Sequence, residues 1–400
     1  MAIKYGNAEI RSLEELPVAG KRVFVRVDFN VPINGETVTD DTRIRAALPT
    51  IEYLIAQNAI VMLASHLGRP KGKPDPKYTL LPAGERLAEL LRREVVLPDD
   101  CVGDGVRKIL KERKEGDVVL LENLRFHAEE EANDSKFAAE LRNGAEVYVT
   151  DAFGSLHRGH ASTDALPRMM NERGAGYLVR DELTFLTPLL EAPQRPYAAI
   201  LGGAKVSDKI KVMEKFLTKV DELYIGGAMA FTFLKAMGHR VGKSLVEEDR
   251  LVQARRILEE AKTRNVRLHL PSDFQLGRSV DEPGPPKAYK GLEIPDGWMG
   301  LDIGPETVER FAKYLEKAGT IFWNGPLGLF ETPPYDQGTV AVAKVLAGLS
   351  SIRVVGGGDS VAALHQAGVA QKMTHVSTGG GATLEYLEGK ALPGLESLAV

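Results

Sequence analysis

Two lysines four residues apart, Lys205 and Lys209, follow a glycine pair in the stretch Ile200-Leu201-Gly202-Gly203-Ala204-Lys205-Val206-Ser207-Asp208-Lys209-Ile210. The apolar run Tyr197 to Leu201 reads as a buried strand, the glycines as the turn after it, and the rest as the opening of a helix. Glycines let the backbone approach a bound anion, and free N–H groups at a helix start point at it. On a helix the two lysines would share one face, where they repel unless something negative lies near both. A solvated helix face after a tight turn is the plain alternative. Phosphate is the sharper reading.

Earlier in the chain, strand-to-loop transitions deliver Arg43, Arg69, Arg125 and Arg158, with His66, His157 and His160. Guanidinium forks match phosphate oxygens in pairs, so four of them at one sheet edge fit a small, multiply charged phosphate ester. Any one alone is more often a surface residue. Lys21 to Pro32 alternates, with Val23, Val25, Val27 and Phe29 on one face of a strand and Arg26, Asp28 and Asn30 on the other. Its last polar groups, Asp28 and Asn30, stand where open α/β sheets bind ligands, while Arg26 is expected to be buried in a pair with Asp28. Arg43 lies near the start of a helix whose apolar residues are Ile44, Leu48, Ile51, Leu54 and Ile55. A cation there opposes the helix dipole, which suggests a task rather than a cap.

The second half repeats strand, glycine turn and helix. The turns include Gly226-Gly227-Ala228, Asn324 to Glu331, Gly356-Gly357-Gly358-Asp359-Ser360 and Gly379-Gly380-Gly381-Ala382. None fits the dinucleotide fingerprint in its strand-to-helix context, and the P-loop pattern is absent. Asp359 is either a first-turn dipole partner or the carboxylate that holds Mg²⁺ beside phosphates. Glu331 could take ribose hydroxyls or be a solvated loop acid. Ser360 could donate to a phosphate, though a helix cap is slightly favoured.

Elements of this kind imply two doubly wound parallel-sheet domains, and 400 residues are too many for one ordinary core. We expect an N-terminal domain over 1–173, a connecting helix over 174–192 that begins at Gly174, and a C-terminal domain over 193–385. A net charge of −4, from 51 basic and 55 acidic residues, argues against general nucleic-acid or anionic-membrane binding, so any anion site must be local. Cys101 is the only cysteine, which excludes a disulfide and a metal cluster built of thiols. Met1 to Leu16 has no apolar core of signal-peptide length and no apolar run is long enough to span a bilayer, so a cytoplasmic protein is expected.

With these residues in view, the chain resembles the phosphoglycerate kinase family over nearly its whole length. Arg26 to Pro32 (RVDFNVP) looks like that family's signature. Ser65 to Pro70, Glu122 to His127, Gly202 to Ile210, Trp323 to Glu331, Gly356 to Ser360 and Ser377 to Ala382 match further blocks in order. The resemblance implies two Rossmann-like domains facing a cleft, with residues 386–400 packing back on the N-terminal domain. It implies 3-phosphoglycerate or 1,3-bisphosphoglycerate on the N-terminal domain, held by Asp28, Asn30, Arg43, His66, Arg69, Arg125 and Arg158. ADP or ATP with Mg²⁺ on the C-terminal domain would meet Gly203, Ala204, Lys205, Lys209, Asn324, Glu331, Gly357, Gly358, Asp359 and Ser360, with Asp359 on the metal. Arg43, Lys205, Lys209, Gly358 and Gly381 would act on the transferring phosphoryl group. Gly159 departs from the family's usual alanine and would loosen the loop carrying Arg158. Gln275 to Gly297 is atypical, which leaves contacts to the base there open.

The implied reaction is reversible phosphoryl transfer from 1,3-bisphosphoglycerate to ADP in glycolysis, by a monomer. A carboxylate with a pKa of about 4 is already ionised at neutral pH, so the acceptor needs no general base. That agrees with motifs built from arginine, lysine and glycine. Groups on the two domains would meet only when the cleft closes. A nicotinamide-dependent dehydrogenase and a catalytically silent phosphometabolite-binding protein are the rival readings.

Overall fold

The computed structural model describes residues 3–399, which form two compact units. The first runs to Thr184 and takes back the segment from Ala391 onward, and the second is Phe185–Lys390. The division falls inside the helix Tyr177–Glu191.

The first unit is built on β1 (Arg22–Val27), β2 (Ile60–Ala64), β3 (Val118–Leu120), β4 (Val147–Asp151) and β5 (Glu172–Ala175), all parallel, in the order β3-β2-β1-β4-β5. Central strands of a parallel sheet are covered on both faces, and β1 is buried from Val23 through Val27. The helix α1 (Thr42–Ala56) turns Ile44, Ala47, Ile51 and Leu54 into the same core as Val23, Val25 and Val149. Its stripe runs through Ala47, whereas Leu48 and Ile55, expected in it, are only partly buried. The strand that begins at Arg22 ends at Val27, so Asp28, Phe29 and Asn30 lie in the loop beyond it.

The helix expected as the connector begins at Tyr177 and not at Gly174. Gly174 belongs to β5, where a Cβ would stand 2.5 Å from the Arg11 carbonyl oxygen, and a Cβ on Gly176 would stand 2.3 Å from Asp151 Oδ1. Two glycines let the chain pass close to these groups before the helix opens. At the far end of the chain, Leu392 N–H donates to Tyr5 Oη at 2.9 Å and Ser397 Oγ to the Thr163 carbonyl at 3.0 Å.

The second unit has, in chain order, β6 (Tyr197–Leu201), β7 (Glu222–Ile225), β8 (Arg267–His269), β9 (Asp273–Gly277), β10 (Lys287–Lys290), β11 (Met299–Ile303), β12 (Thr320–Asn324), β13 (Ile352–Gly356) and β14 (His375–Val376). Six of these form a parallel sheet in the order β8-β7-β6-β12-β13-β14. The atypical Gln275 to Gly297 region supplies the end of β9 and all of β10 to a small antiparallel sheet, β10-β9-β11, and otherwise runs as loops; Phe274 and Leu276 of β9 pack with Phe231 and Leu234. Strand order reverses beside β1 in one sheet and beside β6 in the other. Crevices at such reversals, beyond the carboxyl ends of the strands, are where doubly wound sheets take ligands.

Candidate functional site

In the first unit three loops beyond β1, β2 and β3 are tied to one another. Asn30 Oδ1 accepts from Gly68 N–H at 3.0 Å, and Arg125 donates to the Gly68 carbonyl at 2.7 Å. The fully buried Asn123 holds the second and third loops together, accepting from Leu67 and Arg125 N–H and donating to the Leu67 carbonyl at 2.8 Å. Arg43 donates to both oxygens of Asp28 at 3.1 Å and to the Asn30 carbonyl at 3.2 Å. This explains a cation in the first turn of α1: a carboxylate stands opposite it. The expected Arg26–Asp28 pair is not formed, because Asp28 lies past the strand's end and faces α1.

Arg26 is 1% exposed and makes other contacts. Its Nε donates to Ser162 Oγ at 2.8 Å, one terminal nitrogen donates to the Val27 carbonyl, and the other lies 3.1 Å from His66 Nδ1. Ser162 in turn donates to Glu130 at 2.6 Å, and its N–H reaches the same carboxylate at 2.9 Å. Glu130 is wholly buried, so it supplies the internal counter-charge for Arg26. Burial pushes its carboxyl upward, against the pull of Arg26 and of the Ser162 hydrogen bonds. His66 is pushed well below its ordinary value, first by burial and then by Arg26, Arg125, Arg158 and Arg43. His160 falls to about 4, first by burial and then by Arg26, Arg125, Arg158 and His157. Both imidazoles are therefore neutral at pH 7.

Arg43, Arg125, Arg158 and His66 thus share one electrostatic neighbourhood with Asp28 and Asn30. Arg69 is exposed in the loop after β2 and has no hydrogen-bond or ion-pair partner among the described residues. At Gly159, beside Arg158, a Cβ would stand 3.7 Å from the nearest atom among the described residues, Pro393 Cβ.

In the second unit the turns after β6 and β12 are pressed together. Gly202 N–H donates to the Asn324 carbonyl at 2.9 Å and Gly203 N–H to the Pro326 carbonyl at 2.8 Å. A Cβ on Gly202 would stand 2.0 Å from the Pro326 oxygen, so only glycine permits this approach. Lys209 is 9% exposed and donates to the carbonyl oxygen of Asn324 at 3.0 Å and to its side-chain oxygen. The Asn324 amide donates onward to the Gly356 carbonyl at 2.7 Å. Burial lowers the Lys209 ammonium to about 8, opposed by Asp359 and Asp208.

The helix after the glycine pair starts only at Ile210, so Lys205 and Lys209 do not share a helix face. Val206 to Lys209 form turns instead, held by Glu247, which accepts from Ser207 Oγ at 2.5 Å and Ser207 N–H at 3.1 Å. Lys209 points inward, while Lys205 is exposed. Ser360 is not the cap of its helix, Gly358–Gln366: that position is Gly357, and Ser360 Oγ accepts from Gly325 N–H at 2.5 Å. Gly357 has φ +94°, conformationally open to glycine, and a Cβ there would lie 2.6 Å from Asn324 Nδ2. Gly381 opens the helix Gly381–Leu387.

A cavity of ≈ 240 Å³ opens beside these turns, with Phe231, Phe274, Leu301 and Leu327 among its walls and Gly203, Ala204, Glu331 and Asp359 also lining it. Phe274 comes from the atypical stretch's sheet. Asp359, exposed in its helix's first turn, presents a carboxylate with no ion-pair partner among the described residues. A hard oxygen donor at an open edge suits Mg²⁺, which takes one or two carboxylates and keeps waters.

A profile described as Phosphoglycerate kinase matches residues 13–390. The chain belongs to the phosphoglycerate kinase family. A phosphoglycerate kinase of Anaeromyxobacter sp. (strain K) is 56% identical over 391 residues, covering 97% of this chain and 99% of the relative. That of Aquifex aeolicus (strain VF5) is 53% identical over 389 residues, covering 97% and 98%. The structure of phosphoglycerate kinase from Coxiella burnetii superposes with a TM-score of 0.88 at 39% identity, covering 97% of this chain and 98% of that one. Phosphoglycerate kinases are glycolytic enzymes that transfer phosphate to a carboxyl group, and this chain is one of them. The sequence motifs did not single out Asn123, Glu130, Ser162 or Glu247. Glu130 sits in an acidic run, Glu129 to Glu131, that reads as solvated, and only its complete burial sets it apart.

Proposed function

We propose that this phosphoglycerate kinase binds 3-phosphoglycerate or 1,3-bisphosphoglycerate through Asp28, Asn30, Arg43, His66, Arg69, Arg125 and Arg158 in its first unit. MgADP or MgATP binds the second unit through Gly203, Ala204, Lys205, Lys209, Asn324, Glu331, Gly357, Gly358, Asp359 and Ser360. One observation carries the reading: each unit collects its anion-holding groups at the carboxyl edge of its sheet, beside the strand where the order reverses. The base enters the apolar cavity, and Glu331 takes the ribose. Asp359 holds Mg²⁺, which when bound offsets negative charge on the phosphate chain.

The carboxylate oxygen of 3-phosphoglycerate attacks the γ-phosphorus of ATP as the bond to the ADP oxygen breaks; no proton moves. The chain's own task is to position the two ends and to stabilise charge on the three equatorial oxygens. Arg43, Lys209 and the N–H groups at Gly358 and Gly381 do this, with Lys205 on the nucleotide side. Domain closure in the reactive state brings the two sets to one phosphoryl group and keeps water from the acyl phosphate. The enzyme acts in this reading as a cytoplasmic monomer.

A coupled assay with 3-phosphoglycerate, ATP and Mg²⁺ tests it. ATP consumption should require all three. Consumption that persists without 3-phosphoglycerate, or binding with no turnover, would overturn it in favour of another phosphotransferase or a silent binding protein.

A further inference from the structure

We propose that Asp100, Cys101 and His127, in the first unit, form a site for a divalent transition metal of the zinc class, distinct from the Mg²⁺ site. Their ligand atoms all lie within 4.8 Å of one another, and His127 Nε2 is 2.7 Å from Asp100 Oδ1. A tetrahedral ion with ligand bonds of 2.0–2.3 Å holds such atoms about 3.3–3.6 Å apart, so small side-chain rotations convert the cluster into a three-ligand shell. The donor set selects the metal: one thiolate and one imidazole favour zinc, cobalt or cadmium over magnesium or calcium.

Surroundings favour the same conclusion. Cys101 is wholly buried, whereas the side chains of Asp100 and His127 are 49% and 27% exposed, leaving an entry path and room for a water as fourth ligand. Cys101 N–H donates to Asp100 Oδ1 at 2.6 Å, and Asn143 Nδ2 donates to the Cys101 carbonyl at 3.0 Å. The Asn143 amide oxygen is buried beside it without a hydrogen-bond partner among the described residues. Phe137 packs on the His127 ring with centroids 5.1 Å apart. These contacts orient the ligands before any ion arrives. On binding, a sulfur–metal bond replaces the S–H bond and its proton leaves to water, so affinity rises with pH. The thiolate and carboxylate together cancel the ion's two positive charges. Occupancy would tie the loop of Asp100 and Cys101 to the segment two residues beyond Arg125.

Titration of the full-length protein with Co²⁺ tests the site, because a thiolate-to-cobalt charge-transfer band in the near ultraviolet appears only if sulfur coordinates the ion. The band should saturate at one equivalent, disappear on adding Zn²⁺, persist in Asp359→Asn and be absent in Cys101→Ser. His127→Ala, which keeps the thiol, should weaken cobalt binding by about tenfold or more. Zn²⁺ should raise the thermal midpoint of the wild type and not of Cys101→Ser. No band in the wild type, or an equal band in Cys101→Ser, would reduce the cluster to an ion pair beside an inert thiol.

Discussion

A terminal nitrogen of Arg26 lies 3.1 Å from His66 Nδ1, and this contact decides which imidazole nitrogen carries the proton. Arginine can only donate, so Nδ1 accepts and the proton resides on Nε2. His66 is thereby a neutral donor among arginines. Arg26 can hold this position because Ser162 and the buried Glu130 complete its charge balance.

Glu130→Gln keeps the shape and removes that balance. The expected result is a rise of about tenfold in KM for 3-phosphoglycerate with little change in kcat, together with lost stability of about 3 kcal/mol. Nitrogen NMR of His66 should show the Nε2–H form in the wild type and a mixture in the variant. An unchanged tautomer with unchanged KM would detach Glu130 from the site.

Lys209 is poised to titrate near neutrality, with its ammonium at about 8. Only the charged form attracts phosphate, so kcat/KM for the nucleotide should be flat below that value and fall as pH rises through it. Lys209→Arg should move that limb upward, since guanidinium stays charged. Lys209→Ala should lower kcat by about 10²-fold or more with a much smaller effect on KM for 3-phosphoglycerate. Steady-state pH profiles of the three proteins provide the comparison.

Asp359→Asn keeps the helix's first turn and removes one charge. Mg²⁺-dependent turnover should require a much higher Mg²⁺ concentration, whereas 3-phosphoglycerate affinity measured by calorimetry should not move. A wild-type Mg²⁺ dependence would reassign the carboxylate to the helix dipole.

Gly159→Ala should stabilise the protein by about 0.4–1 kcal/mol, because the site has room for a Cβ and alanine restricts the unfolded chain. Thermal unfolding would show it as a higher midpoint. A lower midpoint would mean that the loop needs glycine.

Asp151 is fully buried at the start of the helix Tyr177–Glu191; its Oδ1 accepts from Leu178 N–H at 2.9 Å, and its Oδ2 has no hydrogen-bond partner among the described residues. Burial pushes its carboxyl up to about 7. Between the unfolded value near 4 and this one, the folded state binds more protons than the unfolded state. Stability from this group is therefore full below about pH 4, declines as pH rises through about 7, and then levels, by at most about 4 kcal/mol. Unfolding of Asp151→Asn followed across that range should lose this slope.

Sequence periodicity and turn chemistry were enough to read the two doubly wound sheets, because parallel strands and glycine turns leave local marks that need no partner to be recognised. The motif blocks were enough to reach the family and its reaction. Contacts between distant segments were a different matter. Asp28 pairs with Arg43 and not with Arg26, Lys209 turns inward on Asn324 while Lys205 stays in solvent, and Ser360 holds a neighbouring turn instead of its own helix. Glu130 looks in the sequence like one more solvated acid, yet it is the wholly buried counter-charge of Arg26. Such choices depend on which groups lose their water together, and that is set by packing between segments far apart in the chain.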